Sequence, residues 1–235
     1  MATHFSPEAL KFLRGLARHN DRAWFEPRKA VYEEREVKAP MLALIEEVNE
    51  ALAGFAPEHI RPAAKCIFRI YRDTRFSSDK RPYKSHIAAW WVRAGMEKTS
   101  GAGFYFHVGP KETVIAAGAY MPTAEQRLAI RRYLAGPAAA HYAELRALLD
   151  NRRLRAAMDQ FEGNRLTRPP RGFSADSPAL DLLLCRQWGV SATLPAELAT
   201  RPELLREIAS RFALAAPIVH LLNRAIASAR PDRVA

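Results

Sequence analysis

The chain has 235 residues, 49% of them hydrophobic and 26% charged, a balance that suits a globular protein with enough apolar residues to bury a core without staples. It excludes extensive disorder, except for the tail Arg230 to Ala235, and no stretch approaches the roughly 18 apolar residues needed to cross a membrane. The net charge is +11, and six of those charges fall in one segment: Arg61 to His86 carries eight Lys/Arg against Asp73 and Asp79, whereas Met1 to Glu58 has a net charge of −2. Arg outnumbers Lys 28 to 8 and Ala and Pro are frequent, as a GC-rich genome would encode, which explains Arg in place of Lys but not why the charge clusters.

Met1 to Asp21 becomes charged at once and has no apolar signal core, so the cytoplasm is the expected location. Cys66 and Cys185 each sit in an apolar run and read as buried thiols of a reducing compartment.

The first quarter reads as helical. Ser6-Pro7-Glu8 is a helix start, with Leu10, Leu13, Leu16 and Ala17 following at helical spacing. Asn20 or Asp21 caps a second helix carrying Trp24, Phe25 and Tyr32. A third runs from about Ala39 to Leu52, with Leu42, Ile45, Val48 and Leu52 on one face and Gly54 closing it.

The period then changes. Lys65 to Asp73, Ser85 to Arg93, Gly103 to Val108 and Thr113 to Tyr120 are short, rich in β-branched and aromatic residues, and bounded by turn signals, as expected of a four-stranded meander. Thr99 to Gly103 reads as hairpin punctuation. Thr123 to Gln126 is a capping box that opens a helix to about Ala135. A further helix is expected from Ala138 to about Met158, then an extended Pro-rich loop from Asn164 to Phe173. Ser177-Pro178 starts a short helix ending at Cys185, Trp188 to Leu194 is a candidate fifth strand, and Pro202 opens a long terminal helix kinked at Pro217. The expectation is a single α+β domain: a helical part over residues 1–58, an antiparallel sheet of four to five strands over 61–121, and a mostly helical part over 122–235.

The strong catalytic signatures are absent. There is no Walker A loop, no G-x-G-x-x-G, no H-E-x-x-H, no paired C-x-x-C and no G-x-S-x-G, and the histidines do not pair at metal-ligand spacing. What stands out is the run Phe68 to His86. Strand alternation places Arg69, Tyr71 and Asp73 on the face opposite Phe68 and Ile70. Arg69, Arg72, Arg75, Lys80 and Lys84 are candidate anion-binding residues, since Arg presents a planar fork to phosphate or carboxylate and Lys a point charge. Asp73 and Asp79 are candidates to orient those arginines, act as a base or ligate Mg²⁺, a cofactor that no motif indicates. Tyr83 and His86 are candidate proton donors. Tyr71 and His107, the latter on one strand face with Tyr105, are candidate substrate contacts, as are Arg168 and Arg171, which flank a stiff Pro-Pro pair.

Three readings stay open on these residues. One is an enzyme or binding protein for a small phosphorylated anion. Another is a non-catalytic nucleic-acid module that uses the basic stretch on phosphates. The last is a self-neutralising ion-pair network, with function elsewhere. The oligomeric state is left open too.

The same residues carry a resemblance. R-x-x-R-D-x-R-F-x-x-D-K-x-P-Y-K, from Arg69 to Lys84, resembles the signature of domain-of-unknown-function family 2461. Trp24-Phe25 with Tyr32-Glu33, Gly118-Ala-Tyr-Met-Pro122, and Arg168 to Phe173 with Asp176 and Pro178 resemble further parts of that family; Arg28 departs from it, where Asn is common. The resemblance implies a shared fold and site and names no reaction.

Overall fold

Ser6 caps the first helix through its hydroxyl, which accepts from Ala9 N at 3.2 Å, and Pro7 fills the first helical position. The computed structural model describes residues 3–96, 101–136, 139–161 and 165–228. Thr99, Ser100, Ala138, Asn164 and the tail 230–235 lie outside the described residues.

In chain order the elements are α1 (Pro7–Arg18), α2 (Arg22–Phe25), α3 (Lys38–Leu52), α4 (Ala63–Cys66), β1 (Ile87–Val92), β2 (Gly103–Val108), β3 (Glu112–Ala119), α5 (Ala124–Leu134), α6 (Ala140–Leu149), α7 (Arg152–Ala157), β4 (Asp159–Gln160), α8 (Leu180–Leu183), β5 (Trp188–Pro195) and α9 (Leu204–Ala227). The sheet is antiparallel, in the order β1-β2-β3-β5-β4, with helices before and after it, so the class is α+β. The first three strands are three of the four expected of the meander, and they are neighbours in chain order. Trp188–Pro195 is indeed a strand, and the two-residue strand β4, which carries too few residues to show a period, pairs with it through Asp159 and Gln160.

Several elements differ from the pattern-based expectation. The second helix is broken into α2, a 3-10 turn at Glu26–Arg28 and a π-helical stretch at Val31–Glu36. Pro27 in the 3-10 turn has no N–H to continue an α ladder. Leu42 lies at the edge of the α3 core face, which Met41, Leu44, Ile45, Val48 and Leu52 make. The helix expected from 138 to 158 is two, because Asn151 accepts from Arg153 N and Leu154 N and so caps α7. The long terminal helix is as expected, with Pro217 inside α9.

The largest correction is at residues 65–73. Ala63–Cys66 is a helical turn, and the chain beyond it is extended but joined to its neighbours only by single bridges, Ile67 to Ala89 and Tyr71 to Tyr83. The partner of the second bridge contains Pro82, which accepts a bond from Arg72 N at 2.9 Å but has no N–H to return one. The ladder therefore stops after one bridge on that side.

The chain divides into two compact units. The first comprises residues 1–91, 105–115 and 193–210, and the second 92–104, 116–192 and 211–235. In the first, Phe12, Trp24, Phe25, Tyr32 and Tyr83 form an aromatic core whose ring centroids lie 4.2 to 6.3 Å apart. In the second, Phe104 packs on Phe212 at 4.9 Å, and the buried Asn223 side chain holds the Ala102 peptide, accepting from its N–H at 3.0 Å and donating to its carbonyl at 3.1 Å. Cys66 and Cys185 are buried free thiols. Among the described residues no helix is long and apolar enough to cross a membrane.

Candidate functional site

The basic segment is an extended ribbon in the first unit. Arg72 N donates to Pro82 O at 2.9 Å and Lys84 N to Ile70 O at 2.8 Å, which sets Tyr71 opposite Tyr83. Ile70 is buried while Arg69, Tyr71 and Asp73 are exposed. The ribbon is tied to the helices at Tyr83. Its ring, 2% exposed, stacks on Phe25 at 4.2 Å, and its peptide is held at both ends by Asn20: Nδ2 donates to Tyr83 O and Oδ1 accepts from Tyr83 N, each at 3.0 Å. Asp21, not Asn20, caps α2. Two adjacent residues able to cap one helix are the only trace of this clip in the sequence.

The loop at the end of the ribbon uses one device twice. Asp73 Oδ1 accepts from Arg75 N at 3.2 Å, and its carboxylate takes Arg75 Nε at 3.0 Å and Nη2 at 2.8 Å. Asp79 Oδ1 accepts from Arg81 N at 3.1 Å, and its carboxylate takes Arg81 Nε at 3.0 Å and Nη2 at 2.7 Å. Each Asp-x-Arg triplet is thus a side-chain-closed turn with a two-pronged ion pair. Asp79 also receives Arg72 Nη1 at 2.7 Å. Hydrogen bonds from Arg75, first from its side chain, hold the Asp73 carboxyl down to about 2, and those from Arg81 hold Asp79 well below the usual carboxylate range. Both aspartates are anions engaged by arginines at neutral pH, which suits them to orienting cations more than to accepting protons. Lys80 donates to Thr74 O at 3.0 Å. At the tip Phe76 is 95% exposed, with the Arg75 guanidinium 5.7 Å from its ring.

A different group gathers at the other end of the ribbon. Arg69 is exposed and has no carboxylate within ion-pair distance among the described residues. Lys84 donates to Arg69 O at 3.0 Å and lies 5.0 Å from the Phe68 ring. Burial, then the charge of Arg69, lowers the Lys84 ammonium below its ordinary range. His86 follows two residues later, with its ring 4.9 Å from that of His107 on β2. Burial, then Lys84, lowers His86; burial, then His86, holds His107 down to about 4. Tyr105 places its hydroxyl 3.0 Å from His107 Nδ1, and Glu112 lies 3.9 Å from Nε2. Phe104, Phe106 and Val108 fill the opposite face of β2. The result is two cations beside two imidazoles kept neutral, an arrangement that favours an anion and offers it neutral hydrogen-bonding groups.

Among the described residues no group of three or more His, Cys, Asp or Glu side chains is gathered to hold a metal ion. Arg168 and Arg171 belong to the second unit. Both are exposed, in a loop that Gly172 turns at a φ of +87°, with Phe173 N donating to Pro170 O at 3.1 Å.

The family model described as a conserved hypothetical protein, DUF2461, matches residues 8–221. No curated protein and no solved structure matches the chain.

Proposed function

The chain belongs to the DUF2461 family of conserved hypothetical proteins, and from the residues gathered at the base of the ribbon we propose that it binds a small phosphate-bearing anion there, on Arg69, Lys84, His86 and His107. One observation carries the reading. Lys84 is a partly buried ammonium beside a second cation, Arg69, and the described residues set no carboxylate against either within ion-pair distance. A partly desolvated pair of like charges is unfavourable until an anion joins it.

The other candidates take supporting parts. Asp73 and Asp79 absorb the charge of Arg75, Arg81 and Arg72 and stiffen the loop. Tyr83 anchors the ribbon. His86 and His107, neutral at pH 7, hydrogen-bond the ligand, and a bound anion raises their proton affinity.

The test is titration calorimetry with inorganic phosphate and pyrophosphate at low and high salt. Wild type binds, and less tightly as salt rises. Arg69→Gln and Lys84→Gln each weaken the anion about tenfold while the thermal midpoint stays close to wild type. Unchanged affinity in both variants would remove the site.

A second reading has its own observation. Phe76 stands in solvent at the tip of a loop that carries Arg75, Lys80 and Arg81. An exposed ring among cations is what a stacked single-stranded base would use. Single-stranded oligonucleotide binding that Phe76→Ala abolishes supports this reading over the first.

A further inference from the structure

The second unit contains a cleft of about 710 Å³, a size suited to a small organic ligand. Tyr120, Arg127, Arg131, Leu166, Arg186 and Gln187 line it, and among the described residues no carboxylate lines it. We propose that this cleft is a second anion site, distinct from the ribbon, for a small molecule with a phosphate or pyrophosphate group attached to a flat apolar body.

Arg131 carries the argument. It is only 8% exposed, yet its partners are uncharged: Nε donates to Leu183 O at 2.9 Å and Nη2 to Cys185 O at 2.8 Å. Among the described residues Nη1 makes no hydrogen bond, and the guanidinium lies 5.8 Å from the Trp188 ring. The two carbonyls and the indole fix the plane of the fork. They do not neutralise it, and of the ionisable side chains that act on it two, Arg127 and Arg186, are positive and the third is the buried Cys185 thiol. A buried guanidinium without a counter-charge is costly, and two more cations beside it add to the cost. An anion in the cleft removes that cost. Three guanidinium groups around one space match the several oxygens and the double charge of a phosphate better than a monocarboxylate does.

The cleft is also built on rigid backbone. Gly118 in β3 has a φ of +136°, and a Cβ there would lie 2.2 Å from Trp188 O; one on Gly189 in β5 would lie 2.3 Å from Ala117 O. Only two glycines permit this approach. Tyr120, just past β3, and Gln187, just before β5, both line the cleft beside this close approach. Arg127 is held by its bond to Pro122 O at 2.6 Å, whereas Arg186 is exposed and makes no hydrogen bond or ion pair among the described residues. Tyr120 and Met121, both largely exposed, supply the apolar surface for the flat portion of the ligand.

The experiment localises binding within the whole chain. Phenylglyoxal modification of arginines is mapped by mass spectrometry with and without pyrophosphate, in wild type and in the Arg69→Gln, Lys84→Gln double variant that lacks the ribbon site. Pyrophosphate protects Arg186 and Arg127 in both proteins. In the double-variant background, Arg186→Gln lowers pyrophosphate affinity about tenfold and Arg186→Lys by less. ADP binds there more tightly than pyrophosphate, and Tyr120→Ala removes that difference. If Arg186 is modified equally with and without pyrophosphate, or if Arg186→Gln leaves affinity unchanged, the cleft is not an anion site. Failure of the ribbon site alone leaves the protection of Arg186 in place, so the two failures are distinguishable.

Discussion

Asn20 and Tyr83 are joined by two hydrogen bonds of 3.0 Å, one in each direction, so that a side-chain amide plays the part of a neighbouring strand. Asn20→Ala leaves both groups of a part-buried peptide unpaired. The expected loss is about 2 kcal/mol, read as a lower urea midpoint, with faster amide exchange at Tyr83 and Lys84. Asn20→Asp keeps the acceptor and loses the donor, so it falls between.

Tyr83 contributes through its ring. Tyr83→Ala empties a site packed on Phe25 and is expected to cost about 3–5 kcal/mol. Tyr83→Phe is expected to cost under about 1 kcal/mol and to leave phosphate affinity unchanged. A large loss of affinity in the Phe variant, at constant stability, would make the hydroxyl a ligand contact after all.

Asp73→Asn and Asp79→Asn separate the two readings of the ribbon. The Asp73–Arg75 pair is exposed and Asp79 is half-buried between Arg72 and Arg81, so Asp73→Asn shifts the unfolding midpoint little and Asp79→Asn somewhat more. Asp79→Asn frees Arg72 and Arg81, and Asp73→Asn frees Arg75. Phosphate affinity at the base is expected to change less than about threefold. Marked strengthening of oligonucleotide binding, most at low salt, would favour the nucleic-acid reading, in which the aspartates only repel the backbone.

His107 gives the fold a pH dependence. Its folded proton affinity, about 4, lies below the ordinary value of 6.5. The unfolded chain therefore takes up the proton first as pH falls, and stability from this group is complete at neutral pH and drains away between about pH 6.5 and 4. The loss by pH 4.5 is about 2 kcal/mol, read by urea unfolding at several pH values. His107→Gln flattens that part of the curve. Phosphate binding near neutral pH takes up protons, which calorimetry in buffers of different ionisation enthalpy will detect.

Gly118→Ala and Gly172→Ala contrast two left-handed glycines. At Gly118 an added Cβ meets backbone at 2.2 Å, and the substitution is expected to cost more than about 3 kcal/mol or prevent folding. At Gly172 nothing lies within 4 Å, so only the strained φ counts, about 1 kcal/mol. Thermal unfolding of the pair measures the difference.

Local rules were enough for much of the chain. Ser6 and Thr123 cap helices through contacts within a few residues, and the alternation through Gly103 to Val108 separates Tyr105 and His107 from the buried Phe104 and Phe106 because a strand has a period of two. The excess of cations between Arg61 and His86, and the two Asp-x-Arg triplets, are properties of the sequence alone. Only the tertiary structure decided how those charges are shared. The aspartates close on arginines two residues on, and Asp79 also on Arg72, which leaves Arg69 and Lys84 with no carboxylate within ion-pair distance among the described residues. The pairing of His86 with His107, the clip from Asn20 to Tyr83 and the convergence of Arg127, Arg131 and Arg186 join residues that no periodicity connects. Such contacts are set by which strands and loops become neighbours, and by what burial then does to the charges placed there, and neither is written in the spacing of residues along one element.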